Sequence, residues 1–332
     1  MEEIRTPSLD AGTPVPQEEA AAWTRNLTRR FGEEVAVSEV TMNLPQGKIF
    51  GFIGPSGSGK TTTVRMLTGA IKPTSGELQV MGIDPAHFRK RHRAAIGYMP
   101  QLFVLYPELT VWENLNFVAS LYGVQLRRNR LLHEMLDFVE MDEDRTKLAR
   151  DVSGGMQRRL SLAATLVHEP QLLFLDEPTA GIDPVLRRKF WDHFRELRDR
   201  GRTLFVTTQY VGEANYCDLV GVLAEGRLLM VDTPDGLRYR AYGGDIVDMV
   251  TKEPLSLRYM RMLRDLPFVK ARPRLLSDTR VRLIVSEAGT DITELVDWAR
   301  SQDLDIDSVE EYQPPFDDVF VELVQEERNN SA

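Results

Sequence analysis

The sequence predicts an α/β fold built on a parallel sheet, followed by a small α+β domain. Short apolar runs at 49–53, 172–175 and 203–207 suit strands that are buried on both faces. Helical stretches alternate with such runs from about Trp23 to Tyr239, which is typical of a parallel sheet covered by helices. We therefore expect one large domain over residues 23–239.

A different pattern follows a boundary near 241–244, where the sequence reads Ala-Tyr-Gly-Gly. The order strand, helix, strand, strand, helix, strand predicts a ferredoxin-like α+β domain over 245–326. Its elements are expected at 246–251, 255–265, 268–274, 279–286, 291–301 and 305–311, with a final helix at 315–325. Residues 1–22 hold three prolines and several acids, so we expect a disordered tail there, and a short tail at 327–332.

Composition and charge narrow the class of protein. No apolar run approaches the ~20 residues of a transmembrane helix, and the N-terminus lacks the pattern of a secretion signal. Cys217 is the only cysteine, which excludes an internal disulfide and a cysteine-built metal site and favours the cytosol. The five histidines show no ligand spacing. The net charge of −9 argues against a dedicated nucleic-acid binder, and the basic run at 89–93 is interpreted as a solvated face.

A phosphate-binding loop is predicted between the strand at 49–53 and a helix that starts at Thr61. The sequence Gly-Pro-Ser-Gly-Ser-Gly-Lys-Thr matches the P-loop pattern, in which glycines let the backbone wrap around phosphate and the helix N-terminus adds partial positive charge. Lys60 is expected to bind the β- and γ-phosphates and the Thr61 hydroxyl to bind Mg²⁺. The residues expected to hold the nucleotide are Gly54, Pro55, Ser56, Gly57, Ser58, Gly59, Lys60, Thr61 and Thr62.

Two adjacent acids, Asp176 and Glu177, directly follow the apolar strand at 172–175. Carboxylates at the carboxyl end of a parallel strand face the usual crevice of an α/β sheet. Asp176 would hold Mg²⁺, and Glu177 would orient or deprotonate an attacking water. Taken alone, the pair could equally be helix N-cap chemistry. The P-loop upstream favours ATP hydrolysis.

The segment Ser153-Gly154-Gly155 precedes a helical stretch that Ser153 can cap, and such a helix start binds an anion well. With this segment, residues from about 25 to 237 resemble the ATP-binding cassette proteins, the ATPase subunits of ABC transporters. The resemblance implies a P-loop NTPase cassette that pairs head to tail with a second cassette, either identical or related. The P-loop of one and the Ser153, Gly154 and Gly155 segment of the other would then enclose each ATP.

The resemblance also implies roles for residues outside these motifs. Gln101 would sense Mg²⁺ and the attacking water, and Asp183 would lie in the segment that crosses the dimer interface. Phe31 would stack on adenine, although a core aromatic is the alternative. An inserted helical subdomain at about 102–165 would meet the membrane partner. Its candidate contacts, for which core packing is nearly as well supported, are Phe103, Leu105, Tyr106 and Leu109.

Two positions depart from the family pattern. The signature has Met156 where the family usually has glutamine, with Gln157 one step later, and its Ser-Gly-Gly core is intact. Gln209 occupies the position where the family places a histidine near the γ-phosphate. A glutamine amide can donate a hydrogen bond but cannot carry the charge of an imidazolium, so we expect slowed turnover. The alternative is that glutamine substitutes adequately.

The sequences of 49–54, 67–76 and 315–323 are similar to those of the exporter branch of the family, which serves drugs, polysaccharides or lipids. The resemblance therefore implies an ATPase at the cytoplasmic face of the membrane, partnered by a separate transmembrane permease. Two other functions stay open. One is a regulatory cassette of low turnover, and the other is a cassette ATPase that acts on ribosomes or DNA.

Overall fold

The computed structural model describes residues 20–102, 104–125 and 127–331. The chain divides after Asp232 into two units, so the helix at Pro234–Tyr242 belongs with the second unit. The boundary therefore falls before residue 239, where the sequence places the end of the large domain. Phe103 lies outside the described residues, as does the predicted tail up to residue 19. The tail expected over 20–22 is wrong, because these alanines are buried in a strand.

The described part of the first unit contains nine strands and six α-helices. The strands are β1 (Ala20–Phe31), β2 (Glu34–Pro45), β3 (Ile49–Ile53), β4 (Ser75–Val80), β5 (Ile96–Met99), β6 (Leu172–Asp176), β7 (Thr203–Thr208), β8 (Leu219–Ala224) and β9 (Arg227–Asp232). The helices are α1 (Lys60–Leu67), α2 (Lys90–Ala94), α3 (Val111–Leu121), α4 (Asn129–Phe138), α5 (Gly154–Leu166) and α6 (Pro184–Asp199).

The central sheet has the strand order β5-β6-β7-β3-β8-β9, and only β9 runs antiparallel to its neighbour. Every residue of β3, β6 and β7 is buried, as their apolar sequences predict. Phe205 lies at the centre, with its ring 5.2 to 5.8 Å from the rings of Phe50, Phe52 and Phe174. Since parallel strands end at one edge, the residues that follow β3, β6 and β7 meet there.

A second sheet, β2-β1-β4, is antiparallel and was not expected from the alternating pattern. Its two long strands are joined by a tight turn in which Gly32 has a φ of 62°. Partly exposed residues alternate irregularly with buried ones along β1, so its apolar pattern is weaker than that of β3. This sheet ends at Phe31, beside the loop that follows β3.

The region predicted to be an inserted helical subdomain contains α3, α4 and α5, which contact one another. Thr110 caps α3, and its hydroxyl accepts a hydrogen bond from the Glu113 N–H while Glu113 bonds back to Thr110. The buried side chain of Asn114 bonds both the N–H and the carbonyl of Tyr106. This pair of bonds holds the loop before α3 against the helix.

The second unit contains α7 (Pro234–Tyr242), β10 (Asp245–Thr251), α8 (Leu257–Arg264), β11 (Arg274–Ser277), β12 (Arg280–Val285), α9 (Ala288–Ser301), β13 (Ile306–Glu311) and α10 (Phe316–Ser331). Its sheet is antiparallel with the order β11-β12-β10-β13. The two βαβ units therefore interleave, and the predicted βαββαβ arrangement is observed. Apolar side chains of α8 and α9 pack on one face of this sheet.

Two expectations for this unit are wrong. The strand expected at 268–274 is replaced by a turn and an isolated bridge at Val269, and β11 begins only at Arg274. Pro267 and Pro273 bracket that segment, and neither has an N–H to donate to a strand ladder. The tail expected from residue 327 continues as helix α10 to residue 331, because no glycine or proline interrupts it.

A buried carboxylate anchors the second unit. Asp248, on β10, accepts hydrogen bonds of 2.7 and 2.9 Å from Arg282 and of 2.7 Å from Arg280. Burial alone would raise the pKa of Asp248, but the bonds from the two arginines outweigh that effect and hold the pKa below its usual range.

We expect Asp248→Asn to lower the free energy of unfolding of the second unit by roughly 1–3 kcal/mol at pH 7. Both arginines are partly exposed, so solvent screening keeps the loss below that of a fully buried pair. The folded-state pKa is depressed, so the stabilisation is complete above about pH 4 and is lost as pH falls through the folded pKa. Hydrogen exchange of the β10 and β12 amides at pH 7 and at lower pH measures the difference.

The matched control is Asp305→Asn, which removes an exposed carboxylate that pairs with exposed Lys252. It should change stability by less than about 1 kcal/mol. Equal losses in the two variants, or a loss for Asp248→Asn that persists undiminished at pH 2, would contradict this account.

Candidate functional site

The loop between β3 and α1 approaches neighbouring backbone so closely that glycine is required at two positions. A Cβ on Gly54 would lie 2.2 Å from the Leu223 carbonyl oxygen. A Cβ on Gly59 would lie 2.4 Å from the Ala36 carbonyl oxygen, and Gly59 has a φ of +100°. These close approaches fix the wrapped shape of the loop at the start of α1.

Lys60 is buried inside this loop. Its Nζ donates hydrogen bonds to the carbonyl oxygens of Gly54 at 2.7 Å and Pro55 at 2.9 Å, and it lies 3.8 Å from Glu177 Oε1. Burial lowers the pKa of Lys60, and the negative charges of Glu177 and Asp176 oppose that shift. The ammonium is thus held where it can exchange carbonyl oxygens for phosphate oxygens.

The loop opens onto a cleft of about 650 Å³. Of the predicted nucleotide-binding residues, six line this cleft together with Phe31, Gln101 and Glu177: Ser56, Gly57, Gly59, Lys60, Thr61 and Thr62. Gly54, Pro55 and Ser58 build the loop behind them. Phe31 is 47% exposed, and the guanidinium of Arg29 lies 4.5 Å from its ring centre. Phe31 is therefore a partly exposed aromatic residue in the lining of the cleft.

Asp176 and Glu177 are positioned by Thr207 on the neighbouring strand β7. The Thr207 hydroxyl donates a 2.5 Å hydrogen bond to Asp176 Oδ1, and both its hydroxyl and carbonyl oxygens accept from the Glu177 N–H at 3.0 Å. Glu177 has a φ of +52°, which is uncommon for a residue with a side chain. This turn directs the Glu177 carboxylate toward Lys60 and Gln101.

The donor set fits a hard divalent cation. Asp176 Oδ2 is buried and makes no hydrogen bond within the described part of the chain, and Thr61 is among the residues that line the nearby cleft. Nowhere in residues 20–102, 104–125 and 127–331 do three or more His, Cys, Asp or Glu side chains form a metal-holding group. Mg²⁺ is suited to such a site, because it commonly takes one or two protein oxygens and completes its shell with phosphate and water.

Gln101 lines the cleft, and Gln209 lies outside its lining but contacts one of the lining residues. Gln101 Nε2 donates a 3.2 Å hydrogen bond to Glu177 Oε2. Gln209 follows β7, is exposed, and accepts a 3.1 Å hydrogen bond at Oε1 from the Ser56 hydroxyl of the P-loop. Gln209, one of the two positions that depart from the family pattern, therefore lies beside the phosphate loop.

The structure does not bring Ser153, Gly154, Gly155 or Asp183 into the lining of this cleft. Ser153 caps α5, and its hydroxyl accepts from the Met156 N–H at 3.3 Å. Asp183 is exposed and caps α6 by accepting from the N–H groups of Val185 and Leu186. These residues form a second group within the same unit, since a Cβ on Gly155 would lie 3.3 Å from the Gly181 carbonyl oxygen.

Sequence reasoning missed several residues of the site, including Glu34, Val35 and Ala36 of β2, which line the cleft. Glu225 and Gly226, in the turn between β8 and β9, line the cleft. Thr207 bridges the two acids, and Arg158 bonds the main chain beneath them. A polar threonine in the apolar strand at 203–207 was the one available signal for these contacts. The others depend on which turns and helices meet in three dimensions.

Known proteins resemble this chain over its first unit and beyond. Residues 37–180 match the family model described as ABC transporter. The chain is 40% identical over 228 residues to the probable multidrug ABC transporter ATP-binding protein YbhF of Escherichia coli K12, covering 68% of this chain and 39% of YbhF. It is 36% identical over 237 residues to the Nod factor export ATP-binding protein I of Burkholderia orbicola, covering 70% and 78%.

The likeness to a third relative extends into the second unit. The chain is 30% identical over 302 residues to the linearmycin resistance ATP-binding protein LnrL of Bacillus subtilis, covering 90% of this chain and 96% of LnrL. The chain thus spans less than half the length of YbhF but nearly all of LnrL.

Solved structures resemble the first unit. An ATP-binding subunit of an ABC transporter superposes with a TM-score of 0.62 at 26% identity, covering 66% of this chain and 92% of its own. A dimeric ATP-binding cassette in a post-hydrolysis state, bound to ADP and Pi, superposes with a TM-score of 0.60 at 26% identity, covering 64% and 98%.

Proposed function

The chain belongs to the ATP-binding proteins of ABC transporters, and we propose that it binds and hydrolyses ATP to power export through a separate permease. One observation carries the ATPase assignment. The P-loop, with Lys60 buried in it, faces the Glu177 carboxylate across a single cleft, and the adjacent Asp176 has one buried oxygen without a hydrogen-bond partner in the described structure. This is the donor set that a magnesium nucleotide requires.

Each residue then has a distinct task. Lys60 and the first N–H groups of α1 bind the phosphates, and the Phe31 ring stacks on the base. Thr61, Asp176 and Gln101 would hold Mg²⁺, which neutralises charge on the β- and γ-phosphates when bound. Glu177 orients the attacking water and accepts its proton, and the Gln101 amide holds the Glu177 carboxylate in place.

The site is incomplete in a single copy. The α5 helix start at Ser153 exposes a capped, glycine-fronted N-terminus, which is a good binding site for a phosphate. We infer that a second cassette supplies this segment and Asp183 to the ATP bound by the first. The pair closes on ATP and reopens after hydrolysis, which drives the permease between its two states.

The membrane partner is assigned by likeness to export proteins and by exposed apolar residues before α3. None of the described helices has the length and apolar character needed to span a bilayer. Leu102, Val104 and Tyr106 are more than half exposed, whereas Leu105 and Leu109 are partly buried. We propose that this apolar loop docks on a permease at the cytoplasmic face of the membrane, and that no nucleic acid is bound.

Glu177→Gln should lower the rate of ATP hydrolysis by at least about 100-fold while ATP binding is kept, because the amide cannot accept the proton of the water. The variant should also accumulate as an ATP-bound dimer in size-exclusion chromatography, and removal of Mg²⁺ should abolish hydrolysis by the wild type. Glu196→Gln, on the exposed face of α6, is the control and should behave as the wild type. Unchanged hydrolysis by Glu177→Gln would remove the assigned role.

Gln209→His should raise kcat about 3- to 10-fold, because an imidazolium places a charge near the γ-phosphate that the amide lacks. Gln209→Ala should lower kcat further, since it removes the remaining donor. Steady-state ATPase assays of the three proteins decide between slowed turnover and adequate substitution. A Gln209→His rate at or below that of the wild type would refute slowed turnover.

The tagged full chain should recover a polytopic membrane protein in stoichiometric amount from detergent-solubilised native membranes. Leu102→Asp should reduce that recovery, because it places a charge on the proposed docking loop, whereas Leu257→Asp changes an equally exposed leucine of the second unit and should not. Recovery with ribosomes or DNA instead would leave the ATPase chemistry and remove the transport assignment.

A further inference from the structure

Arg158, on the second turn of α5, donates hydrogen bonds to three main-chain carbonyl groups beside the two acids Asp176 and Glu177. Its Nη1 donates to the Gln101 carbonyl oxygen at 2.6 Å, its Nη2 to that of Asp176 at 2.6 Å, and its Nε to that of Glu177 at 2.7 Å. Nη2 also contacts the Glu177 carbonyl oxygen. Burial lowers the pKa of Arg158, and the charges of Glu177 and Asp176 oppose that shift. An arginine guanidinium is charged in proteins regardless of such shifts.

These carbonyls belong to the residues whose side chains perform hydrolysis. The Gln101 amide and the Glu177 carboxylate are joined by a 3.2 Å hydrogen bond, and Arg158 holds the main chain beneath both partners. Glu177 has a left-handed backbone conformation, which a residue with a side chain keeps only when its surroundings hold it. The planar, five-donor guanidinium can bind several oxygens at once, which an ammonium on a flexible stem cannot reproduce.

Arg158 also connects two places that serve different nucleotides. It lies five residues after Ser153, the N-cap of the helix start assigned to the nucleotide of the partner copy. The carbonyls that it binds lie at the cleft of its own chain. The Arg158 side chain thus links the first two turns of α5, which carry the helix start, to the main chain of Asp176 and Glu177.

We propose that Arg158 is a positioning residue for ATP hydrolysis, which sets the main chain of Asp176, Glu177 and Gln101 from the helix that contacts the partner's ATP. The proposal rests on the function proposed above. Arg158 does not touch nucleotide in this role. Its loss should therefore impair the orientation of Glu177 and the water rather than the binding of ATP, and the effect should fall on kcat.

The test compares Arg158→Met with Arg159→Met in the full chain. Arg159 is the adjacent arginine on the same helix, and its Nη1 also donates to main-chain carbonyls, those of Val139 and Glu140. Those carbonyls lie in the helical region and not at the cleft. We expect Arg158→Met to lower kcat about 10- to 100-fold with the KM for ATP within threefold of wild type, and Arg159→Met to keep kcat within threefold.

Arg158→Lys separates positioning from a general need for charge. It should give a kcat between those of wild type and Arg158→Met, because one ammonium can satisfy only part of the carbonyl set. If Arg158→Met fails to fold, Arg158→Lys carries the test through a kcat at least threefold below wild type with KM unchanged. A wild-type kcat in Arg158→Lys would then overturn the role.

Other outcomes also decide. An active wild type with unaltered kcat in Arg158→Met would overturn the positioning role and leave the proposed function standing. A raised KM with kcat retained, or equal losses in the Arg158 and Arg159 variants, would likewise overturn it by indicating nucleotide binding or general stability. A wild type without ATPase activity would overturn the proposed function, and the positioning role would fall with it.

Discussion

The positions of Asp176 and Glu177, at the edge of the central sheet, depend on the register between β6 and β7. Asp176 pairs with Thr207 across the two strands, so the Thr207 hydroxyl reaches the Asp176 carboxylate and the Glu177 N–H together. A shift of one residue would turn the Thr207 side chain to the opposite face of the sheet. Asp176 would then lose the donor that occupies one of its oxygens, and the turn at Glu177 would lose an anchor. The positions of the two carboxylates proposed to act in hydrolysis, Asp176 and Glu177, therefore depend on the same strand pairing.

A second constraint is steric and acts on the phosphate loop. Gly59 lies against the Ala36 carbonyl, and the N–H of Gly226 bonds the Ser58 carbonyl at 3.2 Å. The loop is thus shaped by β2 and by the turn after β8 as well as by its own glycines. This packing surrounds the buried Lys60, whose ammonium bonds the carbonyl oxygens of Gly54 and Pro55.

Sequence reasoning located residues whose chemistry is local and missed those whose role depends on packing. Lys60, Asp176 and Glu177 were predictable, because a glycine-rich turn and an acid pair each followed an apolar strand, and parallel strands end at one edge. Arg158 was not, because its carbonyl partners are 18 to 57 residues distant in the chain. The prediction of a strand at 268–274 was wrong for a related reason. The apolar residues of the segment favoured a strand, whereas the effect of the two prolines depends on where the segment lies in the sheet.

The distribution of polar residues in the first unit supports the proposal that hydrolysis requires two copies. Lys60, Asp176 and Glu177 are buried, Lys60 pairs with Glu177, and Thr207 bonds both acids, so their geometry is fixed within one chain. Asp183 and Gln209 are exposed, and Ser153 caps a helix start outside the cleft lining. Such exposed groups gain strength as phosphate ligands only when water is excluded around them. Closure by a second cassette would exclude that water, so catalysis would depend on pairing. Arg158 would then connect the exposed helix start at Ser153 to the main chain of the buried Asp176 and Glu177.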